Sequence, residues 1–182
     1  VTEIQQAVDA GQMQFGENYL QESLDKIDSL EGKNLIWHFI GPIQSNKTAS
    51  IAEKFDWVHS IERFKIAKRL SDQRHPKLGQ LNVLLQINID REKTKSGFFL
   101  EDIDEIVPEI KNLANISLRG FMCIPNPDSA ADSFTKMAEL LSKYPELDTL
   151  SMGMSADLEL AIEKGATFVR VGVDIFGERE YN

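Results

Sequence analysis

The sequence has 182 residues, of which 42% are hydrophobic and 27% are charged, a composition typical of a globular domain. Acidic residues outnumber basic ones by 29 to 20, and the resulting net charge of −9 disfavours nucleic acid or an anionic membrane as the main partner. The single cysteine, Cys123, excludes a disulfide within this sequence and fits a reducing cytoplasm. No apolar run approaches the roughly 18 residues that a membrane span requires.

The first residues already follow a helical pattern. Ile4, Ala7 and Val8 recur at the spacing of one helix face, and Gly11 provides a stop. A helix normally begins after a capping residue, and Val1 is not one. We therefore expect further residues upstream of Val1.

Short β-like runs alternate with amphipathic stretches along the rest of the sequence. The predicted strands are Met13–Gly16, Leu35–Ile40, Asp56–Ser60, Leu81–Ile89, Ser117–Ile124, Thr149–Met152 and Thr167–Gly172. The predicted helices between them are Tyr19–Leu30, Lys47–Lys54, Ile61–Gln73, Leu100–Asn112, Ala130–Lys143 and Ala156–Lys164. Within Leu81–Ile89 one parity is entirely apolar, with Val83, Leu85, Ile87 and Ile89, whereas the other holds Leu84, Gln86 and Asn88. The apolar face is expected to pack against helices.

Strict alternation of strand and helix predicts a parallel α/β sheet in a single domain over residues 1–182. Seven strands plus one upstream would close an eight-stranded (βα) barrel of the TIM type, lacking its first strand here. An open doubly wound sheet is the alternative architecture.

A phosphate site is predicted at the last two strand-to-helix junctions. Ser155 is a natural helix cap after the small residue Gly153, and free N–H groups at a helix start bind anions. Arg170 and Gly172 share a parity on the following strand, and both could point into a barrel mouth. The alternatives are a simple helix cap at Ser155 and a buried ion pair at Arg170.

Other candidate sites carry weaker signals. Asn18 follows an early strand and could face the same mouth or cap a helix. The segment Gly41–Thr48 nearly matches a nucleotide-binding loop, but Asn46 stands where that loop needs a second glycine. The histidines have no metal-ligand spacing, so no metal site is expected, and Cys123 is predicted to be a buried structural thiol.

Taken in order, the longer motifs resemble the pyridoxal phosphate homeostasis protein family, whose single barrel is similar to the N-terminal domain of alanine racemase. The motifs are FGENYLQE (Phe15–Glu22), WHFIGPIQSNKT (Trp37–Thr48), HSIER (His59–Arg63), QINIDREKTKSGF (Gln86–Phe98), LRGFMCIP (Leu118–Pro125) and LSMGMSADLELAIEKGATFVRVGVDIFGERE (Leu150–Glu180). The resemblance covers essentially the whole sequence.

The resemblance implies pyridoxal 5'-phosphate (PLP) as the cofactor, held covalently on a lysine that we expect upstream of Val1. It places the cofactor phosphate at Ser155, Gly172 and Val173, with backbone contacts from Gly153 and Met154. It also places Arg170 beside the pyridine nitrogen, where a cation disfavours protonation of the ring and weakens it as an electron sink. With less support, Asn18, His38 and Ser60 line the ring side of the mouth.

The implied function is cytoplasmic PLP homeostasis. A monomeric carrier would bind and shield the reactive aldehyde, then release it or deliver it to apo-enzymes that depend on PLP, without turning over a substrate. The alternative is a PLP-dependent amino-acid racemase, which needs a second acid or base on the opposite ring face. The tyrosines available for that role are Tyr19, Tyr144 and Tyr181.

Overall fold

The computed structural model describes residues 1–177, in which strands and helices alternate along the chain. The strands are β1 Gln14–Glu17, β2 Ile36–Phe39, β3 Trp57–Ile61, β4 Leu81–Ile87, β5 Ile116–Cys123, β6 Thr149–Met154 and β7 Phe168–Arg170. The helices are α1 Thr2–Asp9, α2 Leu20–Ser29, α3 Thr48–Lys54, α4 Phe64–Gln73, α5 Ile103–Lys111, α6 Ala130–Ser142, α7 Leu158–Glu163 and α8 Val173–Phe176. Each predicted strand is therefore found.

The strands form one parallel sheet that is rolled into a nearly closed barrel. They lie side by side in chain order from β1 to β7. Phe168 of β7 nevertheless contacts His38 of β2 and Trp57 of β3, with ring centroids 5.1 Å apart in both pairs. In a flat sheet β7 would lie about 24 Å from β2, since neighbouring strands are spaced by about 4.8 Å. The barrel prediction is confirmed, and the open doubly wound sheet is excluded.

The two faces of β4 pack in different places, as its sequence predicts. Val83, Leu85 and Ile87 belong to the main hydrophobic core, which lies between the sheet and the surrounding helices. Leu84 and Met122 of β5 are just as buried but lie outside that core cluster. Their opposite parity directs them into the barrel, which is therefore a packed interior and not a pore.

Helix boundaries differ from the predicted ones where tertiary contacts decide them. The helix expected from Ile61 begins at Phe64, because β3 continues through Ile61 and Arg63 is still extended. The helix expected from Leu100 opens instead with a 3₁₀ turn, Leu100–Asp102. The short α8 was not predicted.

Within residues 1–177, no helix combines the length and the apolar character needed to cross a lipid bilayer.

A buried arginine closes the end of the barrel at which the strands begin. Arg74, only 5% exposed, follows α4 and donates from Nη1 to the carbonyls of Ala52 and Phe55 at the end of α3. Its Nε and Nη2 reach the carbonyls of Gly79 and Leu78 in the turn before β4. A helix end leaves carbonyls without partners, and one guanidinium here supplies donors to two segments at once. These hydrogen bonds therefore stabilise the end of the barrel at which the strands begin.

We expect Arg74→Met to lower the free energy of unfolding by about 3 kcal/mol, because four carbonyls lose a charged donor. Urea unfolding followed by circular dichroism measures this loss. The exposed Arg63, which pairs with Glu62, provides the control, and Arg63→Met should change stability by less than ~0.5 kcal/mol. Equal effects of the two substitutions would contradict this role of Arg74.

Candidate active site at the barrel mouth

The barrel interior contains two histidines that contact each other and a hydroxyl group. His38 Nδ1 lies 2.9 Å from His59 Nε2, and His59 Nδ1 lies 2.8 Å from Ser151 Oγ. Trp57 stacks on His38 at 5.6 Å, and Phe168 lies across both imidazoles. The rings are thus shielded from water by aromatic side chains and are tied to one another by hydrogen bonds.

Burial holds both imidazoles in the neutral form. Desolvation lowers the pKa of His38 to about 4. The pKa of His59 lies well below its ordinary value, first because of burial and then because His38 and the Arg170 guanidinium are close. Neutral histidines each have one donor and one acceptor nitrogen, so both can take part in a directed hydrogen-bond chain.

Arg170 projects from β7 into the same interior. Its Nη1 donates to Ser151 Oγ at 2.8 Å, and its Nη2 donates to the carbonyl of Cys123 at 2.9 Å. Both partners are neutral, and within residues 1–177 no carboxylate forms an ion pair with Arg170 within 4.0 Å. Burial lowers the pKa of the guanidinium, but a guanidinium remains charged at neutral pH. A partly desolvated cation with neutral partners favours an anionic or electron-rich ligand beside it.

The loop after β6 passes close to α7, and its geometry differs from the predicted cap. α7 begins at Leu158, with Asp157 as its N-terminal boundary residue, so Ser155 does not cap it. Asp157 Oδ1 instead accepts the N–H of Met154 at 2.6 Å. Gly153 has φ +92°, and a Cβ there would lie 2.4 Å from Ala161 Cβ. Ser155 and Met154 therefore occupy a tight turn at the mouth, and their contact with a phosphate stays a prediction.

The loop after β7 leaves room at the mouth. Gly172 precedes α8, and a Cβ built on it meets no atom within 4 Å. Val173 begins that helix and is 58% exposed. Because no packing in the described chain requires a glycine at position 172, its missing side chain leaves space for a ligand of phosphate size.

Asn18 and Ser60 are both linked to Gly41, the residue that follows β2 and Ile40. A Cβ on Gly41 would lie 2.0 Å from the Asn18 carbonyl oxygen, so only glycine permits the loops after β1 and β2 to approach so closely. Ser60 Oγ donates to the Gly41 carbonyl at 2.6 Å and is almost completely buried. Ser60 thus supports the β2 loop in this structure, and direct contact of Asn18 or Ser60 with a cofactor stays a prediction.

The segment that resembles a nucleotide-binding loop has another role. Ser45–Lys47 form a 3₁₀ turn, and Thr48 Oγ1 donates to the Ser45 carbonyl while accepting from Arg69 Nε. Asp90, which could be imagined as a magnesium ligand in a nucleotide site, is also occupied. Its carboxylate accepts hydrogen bonds that join the loops after β4 and β5, from Asn126 N, Ser129 Oγ and Ser133 Oγ.

Several interior residues were missed by sequence reasoning. Ser151, Gln14 and Phe168 contact the imidazoles or Arg170, yet they lie on strands far apart in the sequence. The sequence signal that could have found them is their parity on the predicted strands, which decides whether a side chain points into the barrel.

Cys123 is buried, as predicted, and desolvation raises the pKa of its thiol to about 12. No lysine in residues 1–177 is buried, and no group of three or more His, Cys, Asp or Glu there could hold a metal ion.

The buried His38 predicts a loss of stability in acid. Its pKa is about 4 in the folded chain and near 6.5 when unfolded, so the unfolded chain binds more protons between these values. Stability is complete above pH 6.5 and falls towards pH 4, by roughly 3 kcal/mol for this group. Urea unfolding at several pH values should show a shallower acid slope in His38→Gln than in the exposed control His75→Gln. An unchanged slope in His38→Gln would contradict the neutral, buried state.

The chain is similar to known proteins in both sequence and fold. The family model described as alanine racemase, N-terminal domain, matches residues 1–180. The pyridoxal phosphate homeostasis protein of Escherichia coli K12 is 50% identical over 190 residues, which cover 98% of this chain and 81% of that protein. The protein of the same name from Pseudomonas aeruginosa is 53% identical over 183 residues, covering 98% and 80%.

Solved structures are similar to this chain in fold. PipY from Synechococcus elongatus, solved without PLP, has a TM-score of 0.89 at 34% identity, covering 97% of this chain and 87% of that one. PipY with PLP bound has a TM-score of 0.85 at 34% identity over the same shares. Alanine racemase from Clostridium difficile, 14% identical with a TM-score of 0.70, shares the fold over 93% of this chain and 46% of that one. The chain described here belongs to the pyridoxal phosphate homeostasis protein family, within the wider group of alanine racemase N-terminal domains.

Proposed function

We propose that this chain binds PLP at the barrel mouth and serves in PLP homeostasis. The observation that carries the proposal is the partly buried Arg170 guanidinium, whose hydrogen-bond partners in residues 1–177 are neutral and which lies two residues before an open position at Gly172. The names of the homologous proteins and the PLP-bound PipY structure support the same ligand. PLP carries a dianionic phosphate and an aromatic ring, and both complement a desolvated cation.

In this proposal the loops after β6 and β7 form the phosphate cup. Ser155, with the backbone of Gly153 and Met154, would contact the phosphate from one side. Gly172 and Val173 would contact it from the other side, where the built Cβ shows free space. Arg170 would lie beside the ring, and Asn18, His38 and Ser60 would complete or support the ring side of the mouth.

We also propose that the chain holds PLP without turning over a substrate. Bound PLP supplies an aldehyde that reacts with amines. The two interior histidines are neutral and engaged in hydrogen bonds, and the Cys123 thiol is buried with a pKa of about 12. Such groups are poor proton-transfer catalysts near neutral pH.

The tyrosines give little support to the racemase alternative. Tyr144 donates its hydroxyl to Asp104 on α5, and burial together with that carboxylate raises its pKa to about 12. Tyr19 is half-exposed where α2 begins. Tyr181 lies outside the described residues.

We propose that the physiological role of the chain is to deliver PLP to apo-enzymes, and that it acts as a monomer in the cytoplasm.

Arg170→Met should weaken PLP binding at least tenfold, because the ligand loses the charged donor beside it. The matched control is Arg119→Met. Arg119 lies near the opposite end of the barrel, over the Trp57 ring and paired with Asp148. Equilibrium titration of each purified variant with PLP, followed by absorbance, gives the Kd values. A wild-type chain that does not bind PLP, or equal losses in both variants, would contradict the proposal.

Gly172→Val should reduce affinity for PLP about tenfold while leaving the thermal unfolding temperature nearly unchanged. Its side chain would enter space that no protein atom occupies within 4 Å of the Cβ. Pyridoxal, which lacks the phosphate, is the ligand control, and its weaker binding should change little. If both ligands lose affinity equally, the phosphate does not lie at this junction.

A further inference from the structure

Five polar side chains form a continuous hydrogen-bond chain across the barrel interior, from the edge strand β7 to the edge strand β1. The heavy-atom distances are 2.8 Å from Arg170 Nη1 to Ser151 Oγ and 2.8 Å from Ser151 Oγ to His59 Nδ1. The chain continues with 2.9 Å from His59 Nε2 to His38 Nδ1, and 3.1 Å from His38 Nε2 to Gln14 Oε1. Its members come from β7, β6, β3, β2 and β1, so only the rolled sheet brings them together.

With the Gln14 amide oxygen facing His38, as in the structure, the two ends of the chain set the proton positions within it. A guanidinium only donates, so Ser151 Oγ accepts from Arg170. The serine proton is then available for His59 Nδ1, which leaves the His59 proton on Nε2 for donation to His38 Nδ1. His38 in turn carries its proton on Nε2 and donates it to Gln14 Oε1, an oxygen that only accepts. Both histidines are therefore Nε2–H tautomers.

The reverse proton order fails at one identifiable atom. If His59 donated from Nδ1 to Ser151, then His38 would have to donate from Nδ1 to His59 Nε2. A neutral His38 would then present a lone pair on Nε2 to the lone pairs of Gln14 Oε1 at 3.1 Å. Two facing acceptors lose a hydrogen bond and repel each other. With the Gln14 amide oriented as in the structure, one proton order therefore satisfies the whole chain.

The three central members of the chain are shielded from water. Ser151, His59 and His38 are at most 4% exposed. Trp57 and Phe168 cover the imidazole faces, and these rings lie 5.1 Å apart. In such a dry environment, a hydroxyl or imidazole that is removed leaves its neighbour without a partner.

We propose that Ser151, His59 and His38 are positioning residues that hold the Arg170 guanidinium in its orientation towards the cofactor. The inference rests on the proposed function, because it assigns Arg170 to PLP. One guanidinium nitrogen is fixed by Ser151 and the other by the Cys123 carbonyl. The serine oxygen accepts from Arg170, and its rotation is fixed by donating its proton to His59, whose tautomer is linked to His38 and Gln14. The orientation of Arg170 is therefore connected to side chains on four other strands, β6, β3, β2 and β1.

The proton order is tested without any ligand, by two-bond ¹H–¹⁵N correlation spectra of ¹⁵N-histidine-labelled protein at neutral pH. We expect the patterns of neutral Nε2–H tautomers for His38 and His59, with the exposed His75 as a reference. In Ser151→Ala, the Nδ1 resonance of His59 should move the most, because it loses its donor. A proton on Nδ1 of either interior histidine would overturn the proposed order.

The positioning role is tested by a double-mutant cycle on PLP affinity. Ser151→Ala should weaken PLP binding about tenfold in the wild-type background, which corresponds to the loss of one hydrogen bond to a charged group. In the Arg170→Met background the same substitution should change the Kd less than twofold, because Ser151 acts through Arg170. Thermal unfolding of all four proteins checks that each is folded.

The outcomes separate this inference from the proposed function. Equal losses from Ser151→Ala in both backgrounds, or no loss in the wild-type background, would overturn the positioning role while PLP binding itself stands. A wild-type chain that fails to bind PLP would remove the proposed function and, with it, the assignment of Arg170 to the cofactor. The tautomer measurement would still decide the proton order in that case, because it needs no ligand.

Discussion

The chemistry proposed for this barrel depends on one positive charge, the Arg170 guanidinium, that faces the barrel interior. Arg170 is carried into the interior by the short last strand, and its partners there, Ser151 and the Cys123 carbonyl, are neutral. A desolvated cation is costly unless dipoles or an anionic ligand stabilise it. The imidazoles behind Ser151 stay neutral near this charge, and the loop after β7 leaves space at the mouth at Gly172. The phosphate and ring of PLP fit such an environment.

The two ends of the barrel divide stability from function, as in other (βα) barrels. At the end where the strands begin, Arg74 joins α3 to the turn before β4. Arg119 lies over the Trp57 ring there and pairs with Asp148. At the mouth, Asp90 joins the loops after β4 and β5, Gly41 permits the loops after β1 and β2 to approach, and Gly172 leaves open space after β7.

Sequence reasoning predicted the strands and the barrel because alternating parity and regular spacing are local signals. Leu81–Ile89 showed its two faces directly, and the structure has them as predicted. The cap at Ser155 was wrong, because the Asp157 carboxylate bonds to the Met154 N–H and delays the start of α7. The interior chain was missed for another reason. His59 and Ser151 are 92 residues apart in the sequence. No local sequence pattern indicates that the rolled sheet brings Ser151 Oγ to 2.8 Å from His59 Nδ1.

A crystal structure of the chain with PLP bound tests the central claim most directly. The account predicts the phosphate between the β6 loop at Gly153–Ser155 and the β7 loop at Gly172–Val173, with the Arg170 guanidinium beside the pyridine ring and still bonded to Ser151. PLP bound elsewhere, or an Arg170 side chain turned away from the ring, would contradict it.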